Sequence, residues 1–334
     1  MISTSSVWRG SHRHHGRFFN PKMRRTSRKA FLRWIFTRQQ GAWRTFTETE
    51  LKAKPSARVE GDSLSITFVN HSTFLIQTAG YNLLTDPVWS ERVSPVSFAG
   101  PRRHRSPGVA LDDLPAIDVL LLSHNHYDHC DYKTLRLLAQ RDNPVLFCPL
   151  GLLRPMRKLG FQKIFELDWW QSATFAQLRV HAVPAQHFSA RGLFDRNRTL
   201  WCGWMVETTQ GSIYFAGDTG MASFFEEIAK DFPDIRLALL PIGAYTPESL
   251  MGPIHMTPEE ALTAHQILKP AQSIATHFGT FALADDGEFE PIERLKQAMR
   301  RTPPETPFTV LREGESLTLA AQDLSLEPAK RIAL

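Results

Sequence analysis

The chain has 334 residues, 42% of them hydrophobic, enough for one large core or two modest ones, and no apolar run of about 18 residues reads as a membrane span. Its three cysteines, Cys130, Cys148 and Cys202, form no CxxC pair, which argues against a disulfide scaffold and fits a reducing compartment. The net charge of +5 is lopsided: residues 1–45 hold eleven Lys and Arg and no Asp or Glu, so the remainder is net acidic and the basic end points to an anionic partner, a membrane surface or nucleic acid.

Residues 1–27 are rich in Arg, His, Ser and Gly without a period, which predicts a largely mobile segment and lacks the apolar run of a secretory signal. From residue 28, Phe31, Leu32, Trp34, Ile35 and Phe36 fall on one broad helical face, with Lys29, Arg33 and Thr37 opposite. That composition suits a helix lying on anionic lipid. It equally suits an arm docked on the rest of the protein, and the two are compatible. Residues 64–69, 74–78 and 81–84 read as strands, with Gly80 and Asn82 marking a turn. The third strand runs into Thr85-Asp86-Pro87, where Asp before Pro is a common turn former. Residues 90–106 form an irregular loop with Pro and Arg, either an active-site wall or solvated surface.

The apolar run 118–122 predicts a buried strand, and residues 132–140 a helix with Leu135 and Leu138 on one side. Between them lies Ser123-His124-Asn125-His126-Tyr127-Asp128-His129. Three imidazoles and a carboxylate within six residues are all first-row metal ligands, suited to zinc, iron or manganese. One turn cannot bring all of them to one ion, so the pattern suggests His124 and His126 on one metal, Asp128 and His129 on a second.

Further on, strands are predicted at 145–148, 178–183, 200–207, 212–216, 236–240 and 273–276, and helices at 152–159 and 291–301. His187 follows one strand beside a polar loop, 189–199. Asp218 follows another, in Gly217-Asp218-Thr219-Gly220, where glycines allow close approach to an ion. Thr257, Pro258 and Glu260 form a capping box just after His255. His277 follows the strand 273–276, and a closing strand pair is expected near Thr309 and Leu317.

His-x-His-x-Asp-His after an apolar strand resembles the signature of the metallo-β-lactamase fold superfamily. The resemblance implies an αββα sandwich over residues 61–334, preceded by a basic, aromatic-containing extension over residues 1–60. It implies a dinuclear site at the sheet edge, with two zinc ions held by His124, His126 and His187 on one side and Asp128, His129 and His277 on the other. Asp218 would bridge them, and Asp86 would accept the N–H of a ligating imidazole. Two such ions ~3.5–4 Å apart can share a hydroxide for hydrolysis.

Four runs, the His/Asp motif among them, resemble the N-acylphosphatidylethanolamine-hydrolysing phospholipase D family. They are Thr85-Asp86-Pro87-Val88, Ser123 to His129, His255-Met256-Thr257-Pro258-Glu259-Glu260-Ala261 and His277-Phe278-Gly279-Thr280-Phe281-Ala282-Leu283. The likeness covers roughly residues 60–290, and Phe19-Asn20-Pro21 resembles the family's N-terminal segment more weakly. It implies a phospholipid phosphodiesterase releasing phosphatidic acid and an N-acylethanolamine, with Asp128, Asp218 and His255 active in catalysis. A cytoplasmic protein, peripheral on an anionic inner membrane face, is expected. The residues leave other classes open: hydrolysis of a lactone, amide or β-lactam, a nucleic-acid phosphodiesterase, an iron protein of the same fold, or a non-catalytic membrane scaffold.

Overall fold

The computed structural model describes residues 7–21, 28–50 and 52–321. The chain opens with a hairpin of β1 (His12–His14) and β2 (Arg17–Phe19), then helix α1 (Arg28–Thr37). Next come β3 (Leu64–Asn70), β4 (Thr73–Thr78), β5 (Tyr81–Thr85), β6 (Val119–Leu121), α2 (Tyr132–Arg141), β7 (Val145–Pro149), α3 (Leu153–Leu159) and β8 (Ile164–Leu167). The second half runs β9 (Ser172–Phe175), β10 (Leu178–Val183), β11 (Gly203–Thr208), β12 (Gly211–Phe215), α4 (Phe224–Asp231), β13 (Ile235–Pro241), α5 (Glu248–Met251) and α6 (Pro258–Leu268). It closes with β14 (Gln272–Thr276), α7 (Glu290–Arg301), β15 (Phe308–Thr309) and β16 (Ser316–Leu319).

Among the described residues two seven-stranded sheets form, in the orders β16-β3-β4-β5-β6-β7-β8 and β15-β14-β13-β12-β11-β10-β9. Their central strands are apolar on both faces because each sheet is covered twice. Strand alternation sorts the side chains. Leu83, Val119, Leu121 and Phe147 pack in one core with Trp204, Tyr214 and Leu237 of the other sheet. Their chain neighbours Leu84, Leu120, Leu146 and Cys148 belong to a separate core with Leu135, Leu138 and Met156 of α2 and α3. Helices α4, α6 and α7 cover the second sheet through Ile228, Leu262 and Leu295. This is the αββα sandwich that the motif implied.

Strands β5 to β8 run parallel, as do β12 to β15. A parallel strand needs a crossover, so the loops at the C-terminal strand ends gather on one edge. Asp86 follows β5, the His/Asp motif follows β6, and Asp218 and His277 follow β12 and β14. His187 arrives there after β10, which is antiparallel to β11.

Three expectations change. The closing strands are not partners: β15 pairs in parallel with β14, and β16 pairs antiparallel with β3, so the chain ends by crossing between sheets. The strand expected from residue 200 starts at Gly203, because Leu200 and Cys202 instead donate to the carbonyls of Leu150 and Ser123. Residues 7–21 are not loose. Trp8 is 1% exposed, with its ring 5.0 Å from that of Phe224, and Phe18 joins the same core. The parts of the segment at residues 1–6 and 22–27 lie outside the described residues.

The following stretch also docks. The Trp34 indole donates to Asp285, the Trp43 indole to the Asp286 carbonyl at 2.9 Å, and Arg44 pairs with buried Glu288 at 2.9 Å. Phe36, by contrast, is 84% exposed and Leu32 is exposed beside it.

Trp8→Ala is expected to cost ~3–5 kcal/mol of stability by leaving a cavity under the hairpin. The urea midpoint should fall with an unchanged m-value. A midpoint equal to that of the parent protein would show that the hairpin stands outside the folding core.

Candidate metal centre

The loop after β6 is clamped at both ends. At its far end Asp131 caps α2, accepting from the Lys133 amide at 3.1 Å and from Thr134 Oγ1 at 2.6 Å. At its near end Asp86, on the neighbouring strand end, accepts from the Ser123 amide at 2.7 Å and Ser123 Oγ at 2.5 Å. Its Oδ2 also receives His129 Nδ1 at 2.7 Å. Held this way, His124, His126, Asp128 and His129 turn toward one point.

Two clusters form there. His124, His126, His187 and Asp218 offer ligand atoms all within 4.8 Å of one another, and so do His71, Asp128, His129 and His277. Asp218 reaches both. Its Oδ2 stands 3.9 Å from His124 Nε2 and 3.7 Å from His187 Nε2, and 3.1 Å from Nε2 of both His129 and His277. Asp128 Oδ2 lies 3.2 Å from His129 Nε2 and 3.4 Å from His277 Nε2. The structure thus brings together the seven residues singled out as ligands, with Asp86 directly behind them. At φ +60° a Cβ on Gly217 would stand 2.7 Å from that of Ser123, so the glycine permits a close approach between strand ends.

Hydrogen bonds behind the imidazoles fix which nitrogen faces inward. Ser123 Oγ donates to Asp86, so it accepts from His124 Nδ1 at 2.9 Å and leaves His124 Nε2 bare. His129 gives its Nδ1 proton to Asp86, and His187 donates from Nδ1 to the Ile254 carbonyl at 2.9 Å. The Nε2 atoms of His124, His129 and His187 therefore face inward together. His126 adds its Nδ1, 2.8 Å from His124 Nε2 and 3.2 Å from His187 Nε2.

Charge follows from burial and from the carboxylates. Burial pushes His124 and His187 well down and His126 to about 4, so all three are neutral donors. Burial alone would raise Asp128 and Asp218, but His129 and His277 outweigh it and hold both well below the carboxylate range. Burial likewise opposes charge on His129 and His277. The surrounding carboxylates reverse that, lifting His129 well up and His277 to about 9. Two buried carboxylates thus demand positive charge between them. Asp218 Oδ1, His129 Nε2 and His277 Nε2 have no hydrogen-bond partner among the described residues. Neutral imidazoles, carboxylates and orphaned inward atoms make a donor set that fits divalent metal ions.

His71 has no counterpart in the sequence reading. It sits in the tight turn between β3 and β4 at φ +49°, and its carbonyl accepts from the His277 amide at 2.9 Å. Burial pushes it to about 3, so the neutral ring donates from Nε2 to Asp128 Oδ2 at 3.0 Å. The one local signal was a histidine where a hairpin turn calls for Asn or Gly. Asp86 and His277 also adopt positive φ, +29° and +58°, so backbone strain concentrates at this edge.

His255 is buried with its ring 5.0 Å from His187 and 5.2 Å from His277, its Nδ1 has no partner among the described residues, and burial holds it near 3. The 90–106 loop touches the motif at one place. Its Val93 packs with Phe281 against Tyr127 of the motif.

Residues 81–278 match the family model described as the Beta-lactamase superfamily domain. The N-acyl-phosphatidylethanolamine-hydrolyzing phospholipase D 1 of Caenorhabditis elegans is 37% identical over 267 residues, 75% of each chain. The Mycobacterium tuberculosis protein Rv0906 is 40% identical over 270 residues, 79% of this chain and 72% of its own. Among solved structures, the metallo hydrolase Igni18 of Ignicoccus hospitalis matches with a TM-score of 0.58 at 22% identity, over 78% of this chain and 100% of that one, a likeness of fold. With that coverage and this centre, the chain belongs to the beta-lactamase superfamily, as a metallo-hydrolase with homologues among the N-acylphosphatidylethanolamine-hydrolysing phospholipases D.

Proposed function

We propose that the protein is a dinuclear metal phosphodiesterase acting on a phospholipid of the N-acylphosphatidylethanolamine type, releasing phosphatidic acid and an N-acylethanolamine. The observation that carries this reading is one carboxylate oxygen, Asp218 Oδ2, standing within 4 Å of imidazoles from both clusters, in a chain 37% identical to a nematode enzyme of that name.

His124, His126 and His187 would hold one zinc ion, Asp128, His129 and His277 a second, with Asp218 touching both. When bound, such ions supply Lewis acidity, bringing the pKa of water toward ~7 and offsetting phosphate charge. The chain's own residues do the rest. Asp86 fixes the tautomers of His129 and, through Ser123, of His124. His71 holds the Asp128 oxygen by its Nε2 proton. His255, neutral at pH 7, offers one N–H to a phosphoryl oxygen or to the departing alkoxide. The basic N-terminal stretch and exposed Leu32 and Phe36 on α1 support a peripheral position on an anionic, cytoplasmic membrane face.

Metal analysis of the purified protein is expected to find about two zinc or similar ions per chain. Asp218→Ala should lower occupancy at both positions, and His277→Ala chiefly at one. Asp86→Asn keeps every ligand yet should weaken metal affinity ~10–100-fold in chelator competition. Full double occupancy in Asp218→Ala would remove that residue from the bridge.

The direct test is turnover of a panel: N-acylphosphatidylethanolamine, bis-p-nitrophenyl phosphate, a lactone, a β-lactam and RNA. Phosphodiesters left intact while the lactone opens would overturn the substrate assignment. His255→Ala is expected to lower kcat on the phospholipid ~100-fold, with metal content and KM little changed.

A further inference from the structure

The loop of residues 189–199, which reads as polar, carries Leu193 at 92% exposure next to Phe194 at 81%. A single exposed apolar residue needs no explanation, but two bulky ones side by side beside a reaction centre do. The tip is not slack. The Asp195 carboxylate accepts from the amides of Arg191 at 3.1 Å and Gly192 at 2.8 Å, closing a turn beneath the pair. Arg17 of β2 donates to the Phe194 carbonyl at 3.0 Å and to that of Arg196, and the Phe18 amide donates to the Asn197 carbonyl at 2.7 Å. The two side chains are therefore held out toward solvent by a built support.

That support is bolted to the metal centre. Arg191 donates to the carbonyls of Asn125 at 2.9 Å and Cys130 at 2.6 Å, and its guanidinium lies 4.0 Å from the ring centres of both Tyr127 and Tyr132. Phe188, one residue before the loop, packs 4.4 Å from the His126 ring. Tyr127 also packs against the small cluster of Val88, Val93 and Phe281, and the 90–106 loop that carries Val93 exposes Phe98 at 81%. Both loops that flank the motif thus end in exposed aromatic tips.

The base of the first tip is cationic. Residues 189–199 hold three arginines and one aspartate, and the adjoining hairpin adds Arg13 and Arg17. Arg17 spends its guanidinium on neutral carbonyls, so its charge is not cancelled locally. Among the described residues no carboxylate pairs with Arg13, Arg17 or Arg196. Bulky apolar tips beside uncompensated arginines match the chemistry of a bilayer interface, acyl chains for the tips and phosphates for the arginines.

We propose that Leu193 and Phe194, joined by Phe98, enter an anionic phospholipid bilayer, with Arg13, Arg17 and Arg196 at the headgroups. The mouth of the metal centre is thereby set against the lipid. This rests on the phospholipid reading above and adds the element that presents the site, independently of α1. The apolar part is insensitive to salt, whereas the arginine part is screened.

The three native cysteines are buried, so Phe194→Cys can be labelled selectively with an environment-sensitive fluorophore. Vesicles of phosphatidylcholine with phosphatidylglycerol should raise and blue-shift its emission. Leu193→Asp combined with Phe194→Asp should weaken co-sedimentation with those vesicles at least ~10-fold, with an unchanged melting temperature. Phe98→Asp should weaken it to a lesser degree. Arg13→Gln with Arg17→Gln should remove the preference for anionic over pure phosphatidylcholine vesicles. Sedimentation without any change at position 194, no sedimentation at all, or an altered oligomeric state in the Asp variants would each overturn the docking proposal. The function reading is scored separately, on N-acylphosphatidylethanolamine in detergent micelles. Hydrolysis there without vesicle insertion sinks only the docking; insertion without hydrolysis sinks only the substrate assignment.

Discussion

The carboxylate of Asp86 is the constraint on which the centre depends. It sits at the end of β5 and binds the backbone and hydroxyl of Ser123, at the end of β6, together with the His129 ring. Two parallel strand ends are thereby joined, and two imidazoles receive their orientation from one acid. Burial pushes the Asp86 carboxyl up, while His129 and Ser123 pull against that push by stabilising its charge. An anion this deep is tolerable only because each oxygen accepts a hydrogen bond. Asp86 adopts φ +29°, so the backbone is strained to put it there.

The rest of the centre is an electrostatic balance around Asp128 and Asp218. Their charges demand cations, and the imidazoles divide accordingly. His124, His126, His187 and His255 stay neutral through burial, while His129 and His277, closest to the carboxylates, are lifted. His71 completes the balance from the turn between β3 and β4. Through its carbonyl it anchors His277, and through its ring it anchors Asp128, so one hairpin turn ties both halves of the sandwich to the site.

The N-terminal stretch belongs to this edge as well. Asn20 donates to the His187 carbonyl at 2.6 Å and accepts from the Trp201 indole at 3.1 Å, so the segment after the hairpin reaches the backbone of a candidate ligand. Arg44 and Arg105, the latter from the 90–106 loop, meet on Glu288. A part of the chain whose composition suggests a loose basic arm is thus, over its described residues, packed around the centre, with Trp8 in the core while Leu32 and Phe36 are turned outward.

By itself the sequence placed the His/Asp run in a loop after a buried strand, because periodicity decides which faces can be buried, and the resemblance of that run to a known signature supplied the fold class. Imidazole and carboxylate after apolar strand ends marked the candidates, and the resemblance implied that they converge on one sheet edge. Tertiary structure alone decided the rest. His71 is an ordinary turn residue until the His277 amide and the Asp128 oxygen, distant in the chain, arrive beside it. β15 and β16 have no mark saying that they pair with different sheets, because strand pairing lies in long-range register, not in composition. Leu193 and Phe194 read as two apolar residues in a polar loop; only the fold turns both outward beside the centre, since exposure is a property of neighbours that a linear pattern does not contain.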